Sequence, residues 1–177
     1  MSCEFDWRGC FLKYDEPSDD FILKNYDKID WKVISNSYKL SENFIEKYKD
    51  KLDWIDISEH QKLSEKFIER YQDKVYWRFI SIYQKLSEAF IEKYQDKMDW
   101  QHIAFSQELS EEFIEKYQNK LDWIFVCQYQ DLSEEFIEKF KDKVDWKYIF
   151  MDQKLSKEFI KKHSKEKDEI LKLFPNI

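Results

Sequence analysis

Glycine, proline and cysteine are scarce in this sequence, and each scarcity excludes a class of protein. One Gly and two Pro in 177 residues leave few tight hairpin turns and long stretches without helix breakers, which disfavours strand-rich folds. The three cysteines, Cys3, Cys10 and Cys127, form no even set and no Cys-x-x-Cys pair. We therefore expect no disulfide framework and a reducing compartment.

Long apolar runs are also missing. No stretch of about 18 apolar residues occurs that could span a membrane. The start of the chain, Met-Ser-Cys-Glu-Phe-Asp-Trp, lacks the basic beginning and apolar core of a signal peptide. We expect a soluble intracellular protein that does not contact a membrane.

Positive charge is in the minority, with 30 Lys and Arg against 37 Asp and Glu, a net charge of −7. Phosphate binding draws its energy from clustered Lys and Arg, so an acidic chain is not typical of duplex-DNA or anionic-membrane binders. Aromatic residues reach 19%, which is too many to leave in water. The composition predicts a narrow aromatic core with a charged exterior, and proteins as partners.

The tryptophans recur at a nearly constant interval. They stand 24 residues apart once and then 23 apart five times, at Trp7, Trp31, Trp54, Trp77, Trp100, Trp123 and Trp146. A Phe-Ile pair precedes each Trp from the second onward by ten residues. A fixed period of this length indicates a solenoid of supersecondary units that stack on one another.

Each unit contains a first helix, helix A, of the form Leu-Ser-Glu-Glu-Phe-Ile-Glu-Lys-Tyr. A serine hydroxyl can cap its start, and acidic residues follow in the first turn. The cap serines are Ser41, Ser64, Ser87, Ser110, Ser133 and Ser156. At the far end, Asp73, Asp96 and Asn119 tolerate the left-handed conformation by which a helix ends where Gly is absent.

The second helix, helix B, begins at the Asp-Trp pair, where Asp53, Asp99, Asp122 or Asp145 can cap and Tyr76 breaks the pattern. The Trp and the third and fourth residues after it share one helical face. We predict that this face, including all seven Trp, forms the structural core. A small fourth residue, such as Ser35 or Ala104, should allow neighbouring helices to approach closely.

These patterns predict an all-α fold, an α-solenoid of about seven 23-residue helix-turn-helix repeats with roughly 14 short helices. We expect a single repeat domain over residues 1–177. It divides into an atypical N-terminal cap repeat (1–30), regular repeats (31–154) and a C-terminal capping helix (155–177).

No pattern indicates catalysis, a metal site or a cofactor. The recurring Asp-Trp pair is interpreted as a helix cap with a core Trp, since no second ligand accompanies any Asp at metal spacing. His60, His102 and His163 occupy three different repeat positions and are expected at the surface. We predict a protein that is not an enzyme and binds neither cofactor nor metal.

The copies disagree mainly on the outer side of helix B, at the first, second, fifth and sixth positions after Trp. If exposed, the apolar and aromatic residues there would form an interaction surface. The alternative is that this side packs on a neighbouring helix A. The candidate partner-binding residues are Phe79, Ile82, Tyr83, His102, Phe105, Ile124, Phe125, Tyr129, Tyr148 and Met151.

The unit Leu-Ser-Glu-Glu-Phe-Ile-Glu-Lys-Tyr with Val-Asp-Trp resembles short tandem helical repeats of large DNA viruses that infect amoebae, the marseillevirus group and its relatives. The likeness covers residues 18–160, with departures at Pro17 and Tyr76. It implies a viral protein in the host cytoplasm or the virion, with the host nucleus as a further location, and it supplies no catalytic residues.

The expected function is therefore that of a non-enzymatic scaffold that binds another protein or a second copy of itself. The alternative is a helical repeat that binds nucleic acid. For that alternative, Arg8, Lys32, Arg78 and Lys147 directly follow a Trp, and aromatic neighbours could stack on bases.

Overall fold

The computed structural model describes residues 16–173. Every regular element in this range is helical, with fourteen α-helices, one 3-10 helix and no strand. This confirms the predicted all-α class and the α-solenoid of about seven helix-turn-helix repeats. The predictions made for Cys3, Trp7, Arg8 and Cys10 lie outside the described residues.

Helix A recurs seven times in the described residues, as seven residues in the first copy and six in each of the others. Its copies are α1 (Asp19–Asn25), α3 (Glu42–Lys47), α5 (Glu65–Arg70), α7 (Glu88–Lys93), α9 (Glu111–Lys116), α11 (Glu134–Lys139) and α13 (Lys157–Lys162). A short 3-10 helix, Tyr26–Lys28, follows the first copy.

Helix B recurs six times in the described residues, and each copy starts at a Trp. Its copies are α2 (Trp31–Ser37), α4 (Trp54–His60), α6 (Trp77–Tyr83), α8 (Trp100–Ser106), α10 (Trp123–Tyr129) and α12 (Trp146–Asp152). A final helix, α14 (Ser164–Leu173), follows α13 after the single residue His163.

Both predicted kinds of helix cap are present. The Ser133 hydroxyl accepts a hydrogen bond from the Phe136 amide at 3.1 Å, and all five other cap serines repeat this bond. At helix B, the Asp53 carboxylate accepts from the Ile55 amide at 2.9 Å. Tyr76, which interrupts the Asp series, makes no side-chain cap bond.

The expected left-handed ending of helix A is wrong, since no described residue has a positive φ. The chain instead continues into a right-handed turn. The Lys74 and Val75 amides both donate to the Tyr71 carbonyl, at 2.8 and 3.0 Å. This turn satisfies the last carbonyl of the helix without a conformation that a Cβ atom disfavours.

The third and fourth residues after Trp on helix B lie on the side that faces the core. Ile57, Ile103 and Ile149 at the third position are fully buried, and so are Ser58 and Ala104 at the fourth. The Phe-Ile pair of every helix A from α3 to α11 is buried as well. The period of 3.6 residues therefore correctly identified the side of helix B with the third and fourth residues after Trp as its buried side.

The chain divides into two compact units, Met1–Leu86 and Ser87–Ile177. In unit 1, α4 packs between α2 and α6. In unit 2, α10 packs between α8 and α12, and α14 packs on α12. Each unit thus contains a layer of helix B copies, and the small fourth residue permits their close approach.

Candidate interaction surface

The Trp rings are half-buried and link each repeat to the next. Trp123 packs on Phe136 of the following helix A, with ring centroids 6.4 Å apart, and on Phe140 at 5.2 Å. Its indole N–H donates to the Gln118 carbonyl at 2.9 Å. The stack on Phe recurs at Trp54, Trp100 and Trp146. Sequence reasoning placed the Trp in the core, and the structure places its ring at the junction between repeats, partly exposed.

A buried glutamine, which sequence reasoning missed, joins successive helix B copies. The Gln130 Nε2 donates to the carbonyls of Ala104 and Gln107 at 2.8 and 2.7 Å, and its Oε1 accepts from the Leu109 amide at 2.8 Å. Gln61 and Gln84 do the same in unit 1. The signal was a Gln seven residues after Trp in five successive repeats, which nothing in helix propensity requires.

The outer side of helix A is occupied by contacts between repeats. The Glu111 carboxylate accepts a hydrogen bond from the Ser133 amide of the next repeat at 2.6 Å. Ion pairs 24 residues apart lie beside it, Glu115 with Lys139 at 2.6 Å and Glu138 with Lys162 at 2.9 Å. The residues of helix A that barely change between copies therefore serve stacking.

The outer side of helix B is open, as the prediction of an interaction surface requires. None of the ten candidate residues is buried. Five are half-buried, namely Phe79, Ile82, His102, Phe125 and Tyr148. Five are exposed, namely Tyr83, Phe105, Ile124, Tyr129 and Met151, with exposed fractions of 44 to 53%.

In unit 2 three of these side chains cluster across α8 and α10, and we name the group Phe105, Phe125 and Tyr129 the aromatic patch. The Phe105 ring meets Tyr129 edge-on at 4.8 Å and lies 6.0 Å from Phe125. A side chain on α8 thus packs against two on α10. Their outer faces remain in solvent, which is the arrangement of a preformed contact surface.

Charge is sparse around the aromatic patch. Over the outer positions of α8, α10 and α12 the formally charged residues are Lys147 and Asp152, and they balance. The uncharged polar residues there are Gln101, His102, Ser106 and Gln128. An apolar centre with a polar surround is the usual anatomy of a protein interface.

The outer positions in unit 1 differ in chemistry. The rings of Tyr76, Phe79 and Tyr83 form a chain along α6, with centroids 6.5 and 6.0 Å apart. On α4 the place of Phe79 is taken by Asp56, a buried residue whose Oδ2 has no hydrogen-bond partner among the described residues. Burial raises the pKa of the Asp56 carboxyl, and the charge of Asp53 raises it further.

The basic positions after Trp do not form a row. Lys32 and Arg78 are exposed and Lys147 is half-buried, while Arg8 lies outside the described residues. Between them the same position holds Ile55, Gln101 and Ile124. The basic residues therefore stand two or three repeats apart in sequence.

The expectation of a surface histidine is wrong for His163. Its side chain is 8% exposed and stacks on Trp146 at 4.5 Å, at the position that Tyr117 occupies two repeats earlier. Its Nε2 lies 2.9 Å from the Glu138 carboxylate. The imidazole thus takes the packing role that a phenol has in the earlier repeat.

Cys127 is a free cysteine whose side chain is fully buried in unit 2. Desolvation raises the pKa of its thiol to about 11. A thiol in this state is a small apolar side chain and a poor nucleophile.

Among residues 16–173, no cluster of three or more His, Cys, Asp or Glu side chains could hold a metal ion. Within the same range, no helix has the length and apolar content needed to cross a membrane. Comparisons of the chain with family models, with curated proteins and with solved structures found no significant match.

Proposed function

We propose that this protein is a non-enzymatic repeat scaffold that binds another protein through the outer side of helix B. The single observation behind the proposal is the aromatic patch, in which three large aromatic side chains about half exposed lie together on two neighbouring helices. Single exposed apolar side chains are ordinary on a soluble protein, whereas contiguous exposed apolar patches often mark interaction sites.

Three features favour a protein partner over nucleic acid. The patch is almost free of cations, whereas phosphate contacts require several. The basic positions after Trp are interrupted by Ile55, Gln101 and Ile124, whereas one-base-per-repeat recognition needs a contact in successive repeats. The net charge of −7 adds repulsion from the phosphate backbone.

The resemblance of the repeat to those of amoeba-infecting large DNA viruses supports a proposal for where this scaffold acts. We propose that it acts in the host cytoplasm or the virion, with the host nucleus as the alternative.

A photo-crosslinking amino acid at position 105 tests the proposal directly. Placed in the full chain, it should form covalent adducts with protein. A second substitution in the same chain, Tyr129→Ser, should abolish these adducts. The same amino acid at Leu23, which is 74% exposed on helix A, is the control and should give few adducts. Equal yields from both positions, or adducts that nuclease releases, would overturn the assignment.

A further inference from the structure

No helix A follows α13 in the described residues, so the side of α13 that would meet one is open. The helix that does follow, α14, packs on α12, where a further helix B would lie. We call Leu155, Lys157 and Lys161 the forward face of α13, because the equivalent residues of the preceding repeat all contact the next one. We propose that this face is a docking site for an acidic amphipathic helix of another protein. It is a second site, apart from the aromatic patch, and does not rest on the function proposed for helix B.

In the earlier copies, two carboxylates of helix A hold the next repeat. On α11 the Glu134 carboxylate accepts a hydrogen bond from the Ser156 amide at 2.5 Å, and Glu138 forms an ion pair with Lys162 at 2.9 Å. The same two contacts join α3 to α5, α7 to α9 and α9 to α11. Negative charge at these two positions is therefore part of how one repeat receives the next.

On α13 both of these carboxylates are replaced by lysine. Lys157 and Lys161 stand one and five residues after the cap serine Ser156, and their spacing of four places them on one side of the helix. Both are exposed, and neither forms an ion pair within residues 16–173. A helix A of the usual form would bring its cap amide to Lys157 and its own lysine to Lys161. The forward face therefore repels the repeats from which this protein is built.

The apolar residues of the stacking surface are kept on α13, but they are less covered than in the earlier repeats. Ile114 and Ile137 are fully buried, whereas Ile160 at the same position is half-buried. Leu132 is buried, whereas its equivalent Leu155 is half-buried. Since the earlier copies have a following helix A, the additional exposed area is what such a helix would cover. The face thus keeps the shape that receives a helix and reverses the charge.

The charge around α13 favours an acidic protein helix over a long polyanion. Residues 154–173 contain seven Lys and four Asp or Glu, although the whole chain has a net charge of −7. A nucleic acid that extended beyond this end would be repelled by the acidic remainder of the chain. A single helix would contact only the positive end.

The contact between α11 and α13 predicts where the partner helix carries its charges. There, Glu134 meets the cap residue of the following helix, and Glu138 meets the sixth residue after that cap. A helix that docks on α13 in the same way should therefore have one carboxylate at its cap and another six residues later. Its apolar residues should stand at the third and fourth positions after the cap. An Asp at the cap would also stabilise the start of the helix.

A crosslinked helix A peptide tests this pairing against the full chain. Residues 131–141, with a side-chain crosslink between positions 134 and 138, are held in a helix that would not persist at this length without it. The acidic peptide carries Ser133→Asp and Lys139→Glu, and the reference peptide keeps both residues. Fluorescence anisotropy should show that the full chain binds the acidic peptide about tenfold more tightly, as two surface ion pairs allow. Equal binding of the two peptides, or binding of neither, would overturn the inference.

A charge reversal on α13 should exchange this preference. Lys157→Glu with Lys161→Glu restores the carboxylates of the other copies, so this variant should prefer the reference peptide. Misfolding cannot produce such a gain of binding. The control, Lys62→Glu with Lys66→Glu, changes the net charge equally at two exposed lysines that are also four residues apart. It should keep the wild-type preference, and a control that loses it would reduce the effect to net charge and remove the site.

A short oligodeoxythymidine distinguishes a helix from a general polyanion. It should not displace the acidic peptide from the full chain. Displacement that is lost in the Lys157 and Lys161 double variant would mean that the face binds any polyanion, and the inference would fall. None of these outcomes bears on the proposed function, which the crosslinks from position 105 test separately.

Discussion

The two helices of the repeat use their outer side chains in opposite ways. On helix A these residues barely change between copies, and they are engaged with the neighbouring repeat, as the Ser133 amide is with Glu111. On helix B they change from copy to copy, and in unit 2 they leave aromatic rings half exposed. Constancy within this chain therefore marks stacking, and variation marks the surface that we propose binds a partner.

The largest effect on stability should come from replacing the buried glutamine that recurs between successive helix B copies. Gln130→Ala removes three hydrogen bonds and leaves the Ala104 and Gln107 carbonyls and the Leu109 amide without a partner in a buried place. We expect a loss of about 3 kcal/mol in the free energy of unfolding, at about 1 kcal/mol for each bond. Urea titration followed by circular dichroism measures it.

The control for this change is Gln101→Ala, since Gln101 is exposed on the outer side of α8. It should alter the free energy of unfolding by less than about 0.5 kcal/mol. If the two variants were equally stable, constancy between copies would have to be explained by something other than stacking.

The division between the two helices also explains what the sequence could predict. The repeat length follows from the 23-residue Trp spacing. Helix caps and the buried Ile-Ser face follow from helical periodicity and local hydrogen bonding, which act within about ten residues. The three bonds of Gln130 span 21 to 26 residues, so no local rule contains them. His163 was misassigned for the same reason, since its burial depends on Trp146, one repeat away in space and 17 residues away in sequence.

The sequence pattern predicted which positions of the candidate surface point outward, but it did not predict which of their side chains contact one another. Spacing places Phe105 and Phe125 on the same side of their helices, but the close contact of Phe105 with Tyr129 depends on how α8 and α10 are staggered. The same spacing assigned the outer side of α4 to solvent, where Asp56 is nevertheless buried. Side-chain neighbours across helices are set by packing, which the sequence pattern does not encode.

A substitution of Asp56 should have an intermediate effect on stability. It tests how the outer positions of helix B in unit 1 differ from those in unit 2. Its folded-state pKa is raised, chiefly by burial, so the native state holds the proton more tightly than the unfolded chain. The stability gained from protonation is complete below the unfolded pKa, about 3.9, and is lost as pH rises through the folded value. At neutral pH a buried carboxylate oxygen without a partner therefore destabilises unit 1.

Asp56→Asn removes that charge and should stabilise the protein at pH 7 by about 1 kcal/mol. Thermal unfolding measured from pH 7 down to pH 4 should show the advantage shrinking as the wild-type carboxyl takes up its proton. Asp131→Asn, at an exposed loop position, is the matched control and should show little difference at any pH. A variant less stable than wild type at pH 7 would mean that Asp56 has a favourable role on helix B.

The ion pairs along helix A should have the smallest effect, although they recur as regularly as the glutamines. Lys139 and Glu115 retain 54% and 45% of their side-chain exposure, and water and salt screen such pairs strongly. A double-mutant cycle with Glu115→Gln and Lys139→Met should give a coupling far below the cost of Gln130→Ala, and salt should abolish it. A coupling as large as that of the buried glutamine would show that the constant surface of helix A stabilises the stack by charge. A negligible coupling would mean that the buried hydrogen bonds and the aromatic contacts between repeats hold the stack together.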